Sequence, residues 1–234
     1  MCPLVRATTA NYRDAMLSNR LSGKVAIVTG IASGIGRGSA LMMARHGARV
    51  IGCDINAAGA EATVKTAADE GLDLRSLHPV DLTRPADVER VMAFAVAEHG
   101  GIDILVNAAA IVEMAWIEEM HYETQWRKTM VGELDIVFLG CKAVWPHLKA
   151  RGGGSVINFA SANAWGAFKP LAALAHCAGK GGVLAMSRQL AMEGGPFGIR
   201  VNTISPALIE TAATKFPLEN IPGNDVLLQS LSTS

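Results

Sequence analysis

The stretch KVAIVTGIASGIGRGSALMMARHGA, residues 24–48, decides the fold. Its first part is apolar and rich in Val and Ile, which predicts a strand that Gly30 stops. From Gly36 onward the run reads as a helix, ended by Gly47. Between them Gly30, Gly34 and Gly36 are spaced G-x-x-x-G-x-G. Glycines let a backbone turn tightly and approach a pyrophosphate. The helix that opens behind them offers free N–H groups and a positive dipole end. A lone glycine triplet also serves plain tight turns. Here a strand precedes it and a helix follows, the context a phosphate-binding turn requires.

The same rhythm continues outward. Strands are predicted over 24–30, 48–54, 74–81, 102–110, 154–161 and 199–205, and helices over 36–48, 57–71, 85–100, 122–150 and from about 175 to 193. Pro85 suits the first turn of its helix. The strand runs are continuously apolar rather than alternating, so both faces are expected to be buried. Strand–helix alternation of this kind predicts an α/β, doubly wound parallel sheet, a Rossmann-type three-layer α/β/α fold of six or seven strands. Residues 1–20 read as a polar N-terminal arm, and 21–234 as one domain.

Composition narrows the function classes. Half of the 234 residues are hydrophobic and 18% are charged, which suits a substantial core. Lys+Arg and Asp+Glu balance at 21 each, so nothing asks for nucleic acid or an anionic membrane. No apolar run reaches membrane-spanning length, and the N-terminus lacks the continuous apolar segment of a signal peptide. Cys2, Cys53, Cys141 and Cys177 form no C-x-x-C pair, which suits a reducing cytoplasm. The histidines show no metal-ligand spacing, so no metal is expected.

Asp54 closes the second strand, 18 residues after Gly36. A carboxylate there accepts hydrogen bonds from the adenosine ribose hydroxyls and repels a 2′-phosphate, which favours NAD over NADP. On its own it is equally a helix cap or a solvated loop residue. No Arg or Lys stands just before Gly34 or just after Asp54 to balance an extra phosphate.

Taken together, these motifs resemble the classical short-chain dehydrogenase/reductase family over roughly residues 20–211. TGIASGIG (29–36) matches the family's T-G-x-x-x-G-x-G. VDLT (80–83) looks like its adenine-side segment. DILVNAAA (103–110) resembles D-I-L-V-N-N-A-G, with Ala108 and Ala110 as departures. SVINFAS (155–161) places Ser161 at the catalytic serine, and GIRVNTISPALIET (198–211) resembles the segment after the sixth strand, with Ala207 for the usual Gly. The resemblance implies a cofactor set of Gly30, Ser33, Gly34, Ile35, Gly36, Asp54, Asp81, Leu82, Asn107, Ala108, Lys180, Pro206, Ile209 and Thr211. It also implies hydride transfer between nicotinamide and a secondary alcohol or ketone, a small-molecule substrate, and a homo-oligomer, dimer or tetramer, built through the two long helices.

Two departures fall on the implied catalytic site. The family's Tyr-x-x-x-Lys aligns with HCAGK, so His176 takes the Tyr position and Lys180 the Lys position. VGELDIVFLG (131–140) aligns with V-N-L-x-G-V-F-L-G, so Glu133 stands at the Asn and Ile136 at the Gly. The implied catalytic set is Ser161, His176, Lys180 and Glu133. Tyr12 and Tyr122 are the only tyrosines and neither lies near the HCAGK helix.

A free phenol has a pKa of about 10 and a free imidazole of about 6.5. An ammonium nearby disfavours imidazolium, and neutral imidazole accepts a proton at its bare nitrogen. His176 beside Lys180 therefore suits a general base and alcohol oxidation. A Glu133 carboxylate paired with Lys180 would offset that ammonium and let imidazolium serve as an acid; a solvated helix Glu is the competing reading. Trp165, Phe168 and Leu171 are candidates for lining a substrate pocket, and Glu113 and His121 for its mouth. The alternatives to a dehydrogenase are a non-redox dehydratase, epimerase or cyclase on the same scaffold, or a silent nucleotide-binding protein. Relatives continue into a lid helix and a seventh strand, so a C-terminus shortened at Ser234 is expected.

Overall fold

The computed structural model describes residues 19–169, 171–207, 209 and 211. Nearly all of the expected N-terminal arm, and everything after Thr211, lies outside them. Six strands form one sheet: β1 (Val25–Thr29), β2 (Arg49–Cys53), β3 (Leu74–Leu77), β4 (Ile104–Asn107), β5 (Gly154–Phe159) and β6 (Ile199–Ile204). All five pairings are parallel, in the order β3-β2-β1-β4-β5-β6. This is the doubly wound arrangement, and the direction of winding reverses between β1 and β4.

The helices are α1 (Gly34–Arg45), α2 (Ala57–Asp69), α3 (Pro85–His99), the long α4 and α5 (Leu174–Gly194). Helix α4 joins a π-helical Tyr122–Arg127, a short α-helical Lys128–Met130, a second π-helical Val131–Asp135 and the α-helical Ile136–Ala150. Alternate strand residues feed two cores. Ile27, Ile51, Leu105 and Val156 pack with Val88 and Met92 of α3, Val137 and Val144 of α4 and Val183 of α5. Ala26, Val28, Val50 and Ile104 pack with Ala40 and Leu41 of α1 and Ala60 and Ala67 of α2. Small alanines on α1 and α2 let those helices lie close to the sheet.

The doubly wound sheet expected from the sequence is present, with some strands shorter than their apolar runs. β4 stops at Asn107 because the next two N–H groups, of Ala108 and Ala109, both donate to Thr29 Oγ1, each at 3.0 Å. β3 stops at Leu77, before Pro79, which has no N–H for the ladder. The two π-helical stretches in α4 carry no periodicity signal.

Candidate active site

The glycine turn lies at the carboxyl ends of β1 and β4, where the winding reverses. Gly30 has φ 75°, and a Cβ there would sit 2.8 Å from Ala109 Cα. A Cβ on Gly36 would sit 2.1 Å from the Gly30 carbonyl oxygen, so only glycine fits where α1 enters beneath the turn. Ser33 precedes α1 in extended conformation and its side chain makes no cap hydrogen bond; the first turn carries no acidic residue. The helix therefore presents unfilled N–H groups and the positive end of its dipole toward the cleft.

That cleft measures about 350 Å³. Its wall includes Gly30, Ser33, Gly34, Ile35, Gly36, Asp54, Asp81, Leu82, Ala108 and Thr211 of the expected cofactor set. Val80, Thr83, Ala109 and Ala110 of the VDLT and DILVNAAA motifs also line it, as do Ile55, Asn56 and Ile111, which no quoted motif contains. Asp54 accepts from the N–H groups of Ala32 (Oδ2) and Asn56 (Oδ1), each at 2.8 Å. These bonds fix the carboxylate at the rim and leave it lone pairs for ribose hydroxyls. Asp81 accepts from Thr83 N–H at 3.0 Å and Thr83 Oγ1 at 2.7 Å, which shapes the loop behind β3. An uncapped helix end, a tight glycine floor and a rim carboxylate fit a dinucleotide.

Asn107, Lys180, Pro206 and Ile209 are not in that wall. The Asn107 side chain turns into the core instead. Its amide donates to Asn158 Oδ1 at 2.9 Å, and Asn158 in turn donates to Ser187 Oγ at 2.9 Å. This buried chain ties β4, β5 and α5 together. Its members are spaced too far apart in sequence for any local pattern to reveal them.

Four side chains from three elements converge at the end of β5. Ser161 lies just beyond β5 in extended conformation, and its Oγ accepts from Asn163 N–H at 3.1 Å. His176 is in the first turn of α5, with Nε2 3.1 Å from Ser161 Oγ and Nδ1 2.7 Å from Glu133 Oε1. Lys180, one turn further along α5, donates to the Phe159 carbonyl at 3.1 Å and stands 3.8 Å from Glu133 Oε1. Burial pushes the Lys180 ammonium well below the usual lysine range, and Glu133 opposes that shift.

Glu133 is 1% exposed, and the solvated-helix reading of it does not hold. It sits in the second π-helical stretch of α4, the kind of irregularity that often marks a functional site. Gly132 next to it has no Cβ where the Ile111 backbone passes, and Ile111 N–H donates to the Gly132 carbonyl at 3.0 Å. Glu133 Oε2 has no hydrogen-bond partner among the described residues; it faces Gly179, whose Cβ, if present, would lie 3.0 Å away. The carboxylate therefore contacts His176 more closely than Lys180, whose ammonium is drawn aside by the Phe159 carbonyl.

Around this centre, Ala162, Trp165, Gly166, Phe168 and Ser205 line a shallow hollow; Leu171 is not part of its wall. Trp165 Nε1 donates to Ser205 Oγ at 3.1 Å. Glu113 is ion-paired with Lys128, and its N–H donates to Thr129 Oγ1 at 2.9 Å. His121 precedes α4, and its N–H donates to Gln125 Oε1 at 2.8 Å. Among the described residues no group of three or more His, Cys, Asp or Glu side chains is placed to hold a metal ion, and no helix is long and apolar enough to cross a membrane.

Comparisons with known proteins agree with this architecture. The short chain dehydrogenase family model matches residues 24–220. D-threitol dehydrogenase of Mycolicibacterium smegmatis is 43% identical over 195 residues, covering 82% of this chain and 72% of that protein. The 3-alpha-(or 20-beta)-hydroxysteroid dehydrogenase of Mycobacterium tuberculosis is 37% identical over 205 residues, covering 88% and 76%. Among solved structures, a short-chain dehydrogenase/reductase from Burkholderia xenovorans superposes with a TM-score of 0.82 at 33% identity, covering 90% of this chain and 81% of that one. With a family model matched along most of its length and relatives of this similarity, the chain belongs to the short-chain dehydrogenase/reductase family of oxidoreductases, which act on CH–OH donors with NAD(P).

Proposed function

We propose that this protein is an NAD-dependent dehydrogenase acting on a secondary alcohol or the matching ketone, with His176 as the proton carrier at the position where its family uses Tyr. The observation that carries this reading is the pair of contacts on the imidazole: Nδ1 to Glu133 at 2.7 Å and Nε2 to Ser161 at 3.1 Å. An ionised carboxylate only accepts hydrogen bonds, so the Glu133 contact favours a proton on Nδ1, and in the neutral ring Nε2 is then the acceptor. Nε2 thus faces the serine that would orient the substrate hydroxyl.

In alcohol oxidation the substrate hydroxyl takes up a hydrogen bond with Ser161 Oγ and gives its proton to His176 Nε2. Glu133 stabilises the imidazolium that forms. Lys180, held by the Phe159 carbonyl, keeps two of its three N–H donors for the ribose next to the nicotinamide. The nicotinamide, when bound, supplies the hydride acceptor. Pyrophosphate would rest on the N–H groups of Ser33–Gly36, adenosine ribose on Asp54, and adenine beside Asp81 and Leu82. Backbone groups of Asn107 and Ala108, with Pro206, Ile209 and Thr211, complete the proposed cofactor set.

Asp54 supports NAD over NADP. The hydroxyl-bearing compounds in the relatives' names support the CH–OH substrate class. Phe138 of α4 and Met192 of α5 are half-exposed or more, which supports a dimer or tetramer joined through those helices. Cys53, Cys141 and Cys177 are free thiols, which supports a cytoplasmic location.

The test is turnover of a panel of secondary alcohols with NAD, followed by the absorbance of reduced nicotinamide. Oxidation that is lost in His176→Phe supports the assignment. Silence across polyols, cyclic alcohols and steroids would favour the non-redox or silent reading, and full activity in His176→Phe would remove the imidazole from the proton path.

A further inference from the structure

We infer that Ser161, His176 and Glu133 also form a nucleophilic centre that cleaves activated carboxylic esters without nicotinamide. The inference rests on the geometry of the candidate site and not on the redox reading. With Glu133 ionised and the imidazole neutral, the hydrogens run in one direction along the chain. Glu133 accepts from Nδ1–H at 2.7 Å. The bare Nε2 then accepts from Ser161 Oγ–H at 3.1 Å. Ser161 Oγ itself accepts from Asn163 N–H at 3.1 Å, which holds the hydroxyl in place and leaves its own proton for the imidazole. A hydroxyl that donates to a neutral imidazole, with a carboxylate behind the ring, is an activated nucleophile whatever fold holds it.

Burial strengthens the arrangement. Glu133 is 1% exposed and Ser161 9%, so the contacts are weakly screened by water. The orphaned Glu133 Oε2 leaves the carboxylate without a competing donor on that oxygen. The hollow formed by Ala162, Trp165, Gly166, Phe168 and Ser205 begins at the residue after the nucleophile. Its aromatic lining suits an apolar or aryl group of the ester.

The step balances as follows. Ser161 Oγ bonds to the carbonyl carbon and its proton passes to Nε2. The bond from carbon to the leaving oxygen breaks, and that oxygen takes the proton from Nε2. Water then attacks the acyl-serine, gives its proton to Nε2, and Ser161 Oγ leaves with that proton. Ester and water become acid and alcohol, with no oxidant or reductant.

The experiment uses the full chain without nicotinamide. Hydrolysis of 4-nitrophenyl acetate and butyrate is followed by release of nitrophenolate, and the acylated peptide is located by mass spectrometry. An acyl group on Ser161, with turnover falling about 100-fold in both Ser161→Ala and His176→Phe, supports the proposal. Labelling of the unaltered protein by a fluorophosphonate at Ser161 is a second readout that needs no variant. Acylation found only on Cys177 or a lysine, no fluorophosphonate label at Ser161, or hydrolysis unchanged in Ser161→Ala would overturn it. Ester cleavage without alcohol oxidation would sink the dehydrogenase reading alone, and the reverse pattern would sink this one alone.

Discussion

The two parts of the candidate site, the glycine-floored cleft and the side-chain cluster at the end of β5, are built on different principles. At the dinucleotide end the backbone does the work: a positive φ at Gly30, a missing Cβ at Gly36 and the open N-terminus of α1. At the proposed proton-handling end almost everything depends on side chains, with Glu133 from α4, Ser161 after β5, and His176 and Lys180 from α5 meeting within hydrogen-bond or ion-pair reach. A backbone site tolerates few changes and so keeps its family pattern. A side-chain site can exchange one proton carrier for another if its neighbours change with it. Glu133 and His176 fit that picture: the imidazole has a carboxylate behind it, and the carboxylate has room because residue 179 is glycine.

The sharpest way to break this division is His176→Phe. Loss of a positioned acid–base group is expected to lower turnover by about 10²–10⁴-fold. Binding of NAD, measured by quenching of intrinsic fluorescence, should stay within about threefold, corresponding to less than about 1 kcal/mol. Equal collapse of binding and turnover would show that the two ends are one unit. Gly36→Ala is the mirror experiment. Its Cβ would meet the Gly30 carbonyl at 2.1 Å, so backbone has to move. An overpacking cost of about 3 kcal/mol corresponds to a fall in melting temperature of roughly 6–12 °C. NAD binding should weaken with it, while ester cleavage at Ser161, assayed below the lowered melting temperature, should survive.

The legibility of the chain follows the same line. The parallel sheet and the glycine turn could be read because apolar runs and glycine spacings are local. Asp54 could be placed for the same reason: it directly follows β2, beside a turn already recognised. HCAGK was readable as a helix with His176 and Lys180 on one face. What spacing could not give was the partner behind the ring. Glu133 lies 43 residues before His176, and its burial depends on a π-helical stretch that leaves no mark in hydrophobic periodicity. Sequence reasoning set Glu133 against Lys180, because the ammonium is the obvious counter-charge; the Phe159 carbonyl, a backbone atom, draws Lys180 aside. The Asn107–Asn158–Ser187 chain was hidden similarly, since Asn107 belongs to a cofactor-side motif yet points into the core.

Glu133→Gln sharpens the comparison within the side-chain end. Gln still offers an oxygen to Nδ1–H but no longer stabilises imidazolium. Alcohol oxidation at neutral pH is expected to fall about tenfold, since a hydrogen bond to a charged group is worth about 1.5–3 kcal/mol, of which the neutral bond recovers part. The acid limb of the rate profile should move to lower pH. An unchanged profile would uncouple the two departures, and Gly179→Ala, which crowds Oε2 without altering charge, should reproduce only a small part of the loss.

The smallest expected effect concerns Lys180. Burial holds its ammonium below the usual lysine range, with Glu133 opposing. Between the folded and unfolded pKa values the unfolded chain therefore binds more protons than the folded one, and stability rises with pH across that window. The group's destabilising contribution is fully present below the folded value and gone above the unfolded one. Thermal unfolding followed from neutral pH to about 10 should show a more positive slope for the unaltered protein than for Lys180→Met, which has no proton to lose. In Glu133→Gln the opposing charge is absent, so Lys180 should give up its proton at lower pH and the rise should begin earlier. A Lys180→Met slope equal to that of the unaltered protein would mean that Lys180 keeps its proton throughout the range. Glu133 would then serve the ammonium as much as the imidazole, and the pairing expected from the sequence would stand beside the one seen in the structure.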